Sequence, residues 1–263
     1  MFKKLGSPAP TALDWWLMKT AKDRIEFGKR QRSIVSRATH CDLHPRARDF
    51  DPIKLLLASD KGRLQDLLPL KYSRMSSSPF AFFRGAVSIM AADLGRLPHS
   101  GLNAQLCGDA HVQNLGSFAA PDGKLIFDLT DFDETIRGPW EWDVKRMATS
   151  IILAGREAQQ NRAIRRAAAE AVVASYCRSM AQFARQPLLD VARHLVHREE
   201  NVRPIHAALR QSERVTPLGL LNKYTRPGGK GERHFINQRP SIWRVTGRSQ
   251  KTFCLRSKFI GKV

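Results

Sequence analysis

No apolar run among the 263 residues approaches the roughly 18 consecutive positions that a bilayer-spanning helix needs, so no membrane span is expected. Behind Met1-Phe2-Lys3-Lys4 there is no hydrophobic core segment, because Ser7-Pro8-Ala9-Pro10 and Asp14 follow directly; a secretory signal is not predicted and a cytoplasmic protein is. Cysteine is scarce and scattered. Cys41, Cys107, Cys177 and Cys254 form no Cys-x-x-Cys pair, which argues against a zinc knuckle or a disulfide framework and suits a reducing compartment. No G-x-S-x-G string occurs, so a serine hydrolase is disfavoured. Nor is there a G-x-G-x-x-G: Gly228-Gly229-Lys230-Gly231 reads as a turn in a basic loop, without that spacing or a following helix. No internal repeat is visible.

Charge is plentiful and uneven. Forty-four Lys and Arg stand against 24 Asp and Glu, a formal charge of +20. Clustered cations gain affinity for nucleic acid by releasing phosphate counterions, so the basic termini make nucleic acid a candidate partner. Ala207 to Val263 holds 13 basic and two acidic residues, a net of +11, and the first 50 residues hold 11 and five, a net of +6. From Gly85 to Lys145 the sign reverses, with four basic and nine acidic residues. A surplus of carboxylates inside a basic chain points to a cation site.

Residues 1–50 read as a partly disordered arm with one amphipathic helix around Trp15 to Ile34. Asp51-Pro52 opens a short helix, and Leu64, Leu67 and Leu68 predict a second one ending before Pro69. Ser78-Pro79 is a helix start, behind which Phe82, Phe83, Ala86, Ile89, Met90 and Leu94 keep helical spacing until Gly95 and Pro98. Asn103 to Cys107 and Lys124 to Leu129 read as strands, with a turn at Pro121-Asp122-Gly123. Gly138-Pro139 is expected to start a long helix whose apolar stripe is Trp140, Val144, Met147 and Ile151. Asn161 to Ala184 predicts a second long helix, and Leu188 to about Glu200 a third. Arg233 to Ile236, Ser241 to Thr246 and Thr252 to Leu255 read as strands. The expected class is α+β, mostly helical, with a small central sheet and a β-rich C-terminal segment.

The densest set of reactive residue types is Cys107-Gly108-Asp109-Ala110-His111-Val112-Gln113-Asn114, followed by Phe127-Asp128-Leu129-Thr130-Asp131-Phe132-Asp133-Glu134. Phosphoryl transfer needs a carboxylate beside the acceptor hydroxyl, and magnesium held by an amide oxygen and a further carboxylate. Asp109 and Asn114 have the spacing of the kinase loop H-R-D-x-x-x-x-N, and Asp131 stands where the metal-binding Asp of D-F-G would stand. The loop and strand resemble the G-D-x-H-x-x-N and I-D-F-D elements of the aminoglycoside phosphotransferase branch of the kinase-like fold. Longer strings, Met75 through Gly85, Cys107 through Asn114, and Asp131 through Thr135 on to Gly138-Pro139-Trp140-Glu141-Trp142-Asp143, resemble the bacterial domain of unknown function 2252 family, over roughly residues 51–263.

The resemblance implies a partial kinase-like fold. Within it lie a site region at 103–145, a helical region at 140–214 and a basic β-like segment at 227–263. It implies a magnesium-dependent phosphotransferase-type site using ATP or another nucleotide and a small-molecule or protein acceptor. Asp109 would be the catalytic base or orienting carboxylate, Asn114 and Asp131 magnesium ligands, Asp133 an added carboxylate, and Asp143 a structural support for the loop. Cys107 stands where kinases have His. Relatives carry a glycine-rich stretch and a strand lysine further on, so the resemblance also implies a chain truncated near Gly261 and a site that is inactive for want of that lobe.

Other readings stay open. Gly, Asp and Asn are common turn formers, and Asp128, Asp131 and Asp133 alternate as on a solvated strand face, although Ile126, Phe127 and Leu129 imply burial. His111 is either a phosphate contact or a hydrogen-bonded loop residue. Arg84 either meets an anionic ligand or pairs with a central carboxylate. Trp140 and Trp142 either stack a ring ligand or pack in the core. The rival functions are a non-catalytic nucleic-acid or polyanion binder, and a metal-dependent phosphoesterase or glycosyl transferase using Asp131-Phe132-Asp133 as a D-x-D site.

Overall fold

Three helices of the first half begin where short polar side chains take up free backbone N–H groups. The computed structural model of the protein describes residues 20–41, 48–120, 125–192, 194, 210, 216–238 and 242. Helix α1 (Ala21–Ile34) opens with a capping box in which Thr20 receives the Asp23 N–H and the Asp23 carboxylate receives the Thr20 N–H. Asp51 caps α2 (Pro52–Ala58) through the N–H groups of Ile53 and Lys54. Helix α3 (Leu68–Met75) carries Pro69 in its first turn, so that proline starts the helix it was expected to end; its missing N–H is no loss there. Ser78 caps α4 (Pro79–Gly85) through the Ala81 N–H.

One helix was expected from Ser78 to Leu94, and the structure has two, α4 and α5 (Val87–Leu94), broken at Ala86 with φ −108° and ψ 36°. At the break the Phe83 carbonyl takes the Ala86 N–H at 3.3 Å, and a side chain from elsewhere in the chain meets the freed carbonyls. The Arg146 guanidinium donates to the carbonyls of Phe83 and Arg84, at 3.2 and 3.4 Å, which an unbroken helix would give to the N–H groups of Val87 and Ser88. Around this break lies the core cluster Leu56, Met75, Ala86 and Ile89, with Phe50, Leu55 and Tyr72 packed against it.

The strands are β1 (Asn103–Leu106), β2 (Leu115–Ala119), β3 (Leu125–Leu129) and β4 (Ile136–Pro139). They form two antiparallel ribbons rather than one sheet: β1 pairs β4 with Ala104 opposite Gly138, and β2 pairs β3 with Ser117 opposite Phe127. Gly138-Pro139 thus ends a strand instead of starting a helix. The ladder continues one step further through Trp140 N–H to the Leu102 carbonyl, 3.1 Å. Helix α6 (Glu141–Glu157) follows, then α7 (Arg162–Phe183), capped by Asn161, and α8 (Leu188–Ala192). Helices α6 and α7 pack together, with Trp140 stacked on Tyr176 at 5.6 Å and its indole N–H donated to Ser100. Core packing, not a ring ligand, occupies Trp140.

The chain divides into two compact units, residues 1–200 and 201–263. In the second, α9 (Pro217–Tyr224) leads into β5 (Thr225–Pro227), which pairs antiparallel with β6 (Arg233–Phe235), and Gln238 bridges Ile242. The strands expected at Ser241 to Thr246, apart from Ile242, and at Thr252 to Leu255 lie outside the described residues. So do residues 15–19, the turn at Pro121-Asp122-Gly123 and the helix expected beyond His194. The α+β class holds. Among the described residues no helix is long and apolar enough to cross a membrane.

Candidate functional site

The loop from Cys107 to Asn114 is fixed at both ends by backbone contacts. Gly108 has φ +84°, and a Cβ there would lie 1.9 Å from the Glu134 carbonyl oxygen, so only glycine fits. Asp143, in the first turn of α6, accepts the N–H groups of Cys107 at 2.7 Å and Gly108 at 3.1 Å. Cys107 donates its thiol to the Asp131 carbonyl at 3.3 Å, tying the loop to the segment after β3. Asn114 donates its amide N–H to the Asp109 carbonyl at 2.8 Å, closing the loop on itself and leaving the amide oxygen as its remaining acceptor. The Asn114 carbonyl in turn accepts from Thr130, through both N–H and hydroxyl, and Ser150 holds the Val112 N–H at 3.1 Å.

Both carboxylate oxygens of Asp109 have a partner, and the side chain still reaches the cleft. Arg146, only 2% exposed, donates Nε to Asp109 Oδ1 at 2.6 Å and brings Nη2 onto the same oxygen, while its guanidinium lies 4.3 Å above the Phe83 ring. His111 Nε2 stands 3.4 Å from the other carboxylate oxygen. Burial alone would push the Asp109 carboxyl up, yet the His111 contact and the Arg146 charge hold it below the ordinary range. Asp143 goes the other way, because burial outweighs the two N–H bonds and Arg146 and pushes its carboxyl up. Burial also pushes the Cys107 thiol up, which favours the neutral S–H that donates to the Asp131 carbonyl.

Of these residues Gly108, Asp109, Asp143 and Arg146 border a cleft of about 910 Å³. Asp109, Asp131, Asp133, Glu134 and Asp143 line it from one side of the sequence, and Arg63, Lys71 and Arg84 from the other. Asn114 and His111 do not line it: both are buried behind Asp109, and the His111 Nδ1 has no hydrogen-bond partner among the described residues. Asp128 is exposed outside the cleft, bonded to the N–H of Leu129. Asp131 and Asp133 are exposed as well, so the buried carboxylate cluster implied by Ile126, Phe127 and Leu129 does not form; only Ile126 of the three is buried. The Asp133 N–H reaches Asp131 Oδ1 at 3.3 Å.

Among the described residues no group of three His, Cys, Asp or Glu side chains could hold a metal ion by itself. The donors at hand are hard oxygens on Asp131 and Asp133. That set fits magnesium, which keeps several waters and takes one or two carboxylates plus substrate phosphates, and it does not fit an all-protein cage.

Arg146, Ser150, Arg63 and Lys71 were not foreseen. A signal for the first two was present: Asp143, Arg146 and Ser150 recur at helical spacing beside the apolar stripe of α6, making a second, polar face turned inward. Arg63 and Lys71 carry no such mark, since only the folded chain brings them to the cleft.

No curated protein and no solved structure matches the chain. Residues 63–256 match the family described as "Uncharacterized protein conserved in bacteria (DUF2252)", and a match over most of the chain places the protein in that family.

Proposed function

We propose that the cleft is a magnesium-dependent phosphotransferase-type site that takes ATP or another nucleotide. One observation carries this reading: Asp109, on a loop closed by Asn114 and clamped by Asp143, lines the same cleft as Asp131 and Asp133. Asp109, kept ionised by Arg146 and His111, is a weak proton acceptor and a good orienting one. It would accept the hydrogen bond of the acceptor hydroxyl and aim that oxygen at the terminal phosphorus. The new P–O bond forms to the acceptor, the bond to the leaving phosphate breaks, and the hydroxyl proton passes to phosphate or water. Asp131 and Asp133 would hold magnesium, which when bound offsets the phosphate charge.

Thermal unfolding with ATP and Mg²⁺ together tests the reading. The pair should raise the Tm, because a ligand that binds only the folded state stabilises it, and Asp131→Ala should abolish the shift. A shift of equal size in Asp131→Ala removes the metal assignment. Transfer to small hydroxylated and amino acceptors would then be assayed with labelled ATP.

A further inference from the structure

We propose that the cleft carries a phosphate subsite on its helical wall, formed by Arg84 with Arg63, Lys71 and the first turn of α5. The lining side chains divide by origin. Those from residues 59–94 include three cations and no carboxylate, whereas those from residues 106–146 include five carboxylates and one arginine, Arg146, already bound to Asp109. On the basic wall Lys71 is paired with Asp60, and Arg63 stands 3.6 Å from Glu134. Arg84 has no carboxylate partner among the described residues, although five line the same cleft; its charge is left for a ligand.

The broken helix adds donors beside it. The Phe83 carbonyl takes the Ala86 N–H and Arg146, and the Arg84 carbonyl takes Arg146, so α5 begins with the Val87 and Ser88 N–H groups lacking acceptors in the turn before, and no side chain caps them. Both residues line the cleft, and the Ser88 hydroxyl is buried with no hydrogen-bond partner among the described residues. Guanidinium, hydroxyl and helix-start amides together are a donor set that suits a phosphoryl group. The choice of phosphate over other anions rests on the phosphotransferase reading. The phosphoryl group belongs either to a nucleotide or to a phosphorylated acceptor.

Inorganic pyrophosphate, titrated calorimetrically into the full chain without divalent cation, tests the subsite. It should bind the parent protein, Arg84→Ala should weaken it by about tenfold or more, and Arg84→Lys should recover part of the loss. Asp131→Asn should bind it as well as the parent or better, since one repelling charge is gone. Absence of binding by the parent, or equal affinity in Arg84→Ala, overturns the subsite; Arg84 is exposed, and matching unfolding midpoints would show that its variants remain folded. Displacement of pyrophosphate by ADP assigns the subsite to a nucleotide and displacement by glycerol 3-phosphate to a phosphorylated acceptor, while displacement by neither also overturns it. If Arg84-dependent binding holds but Mg²⁺ adds nothing to it, the phosphotransferase reading fails and the subsite stands.

Discussion

Arg146 on α6 and Asp109 in the loop after β1 form a buried guanidinium–carboxylate pair, Nε to Oδ1 at 2.6 Å, and the same guanidinium donates to the Phe83 and Arg84 carbonyls at the break between α4 and α5. One side chain thereby helps His111 to keep the candidate catalytic carboxylate ionised and also meets the opposite wall of the cleft. A buried pair of this kind adds little over a well-packed apolar pair, but losing one partner is expensive, because it strands the other charge.

Arg146→Met should therefore cost about 3–5 kcal/mol at neutral pH, measured by urea unfolding. The loss should shrink in the double variant with Asp109→Leu, which leaves no stranded charge. A double variant as unstable as the single one would show that the pair's charge is not what matters.

The pH dependence has a definite sign. Asp109 has a folded pKa below its ordinary value of about 3.9, so its contribution is fully present above that value and is lost as pH falls through the folded pKa. In Arg146→Met the His111 contact remains but the Arg146 charge is gone and the folded pKa rises, so the variant's deficit against the parent should shrink on acidification towards about pH 4. Parallel unfolding curves against pH for parent and variant would contradict this.

Gly108→Ala should be among the most damaging single substitutions in the site. It combines a left-handed backbone with a Cβ 1.9 Å from the Glu134 carbonyl oxygen, and the obstacle is backbone that cannot swing aside. A cost above about 2 kcal/mol is expected, with loss of nucleotide binding. An alanine variant of parental stability would mean that the loop is not held as described.

How far the sequence could be read depends on how local each cause is. Ser78 ahead of Pro79, Asp51 ahead of Pro52 and Asn161 ahead of α7 each act within one helical turn, and those starts were legible. The break at Ala86 was not, because the group that takes the Phe83 and Arg84 carbonyls lies some 60 residues further along. Gly138-Pro139 has the composition of a helix start, yet its partners in β1 decide that it ends a strand. Asp109, Asp131, Asp133 and Asp143 were legible as one constellation from residue type and spacing, and they line one cleft. The basic wall was not, since nothing in the spacing of Arg63, Lys71 and Arg84 joins them before the chain folds.

Asp143→Ala should release the N–H groups of Cys107 and Gly108 and cost about 1–3 kcal/mol, offset in part because burial already disfavours the ionised carboxylate. Amide exchange at Cys107 and Gly108 should accelerate in the variant. Unchanged exchange there would show that Asp143 does not hold the loop.

The central claim is that the cleft carboxylates hold a divalent cation together with a phosphate ligand. Manganese in place of magnesium gives the most direct readout, through water-proton relaxation as Mn²⁺ is titrated with ATP present. The account predicts an enhanced relaxation signal for the parent protein that Asp131→Asn abolishes, with unfolding midpoints matched. An Asp131→Asn variant that gives the parent's signal, or a parent that gives none, would contradict it.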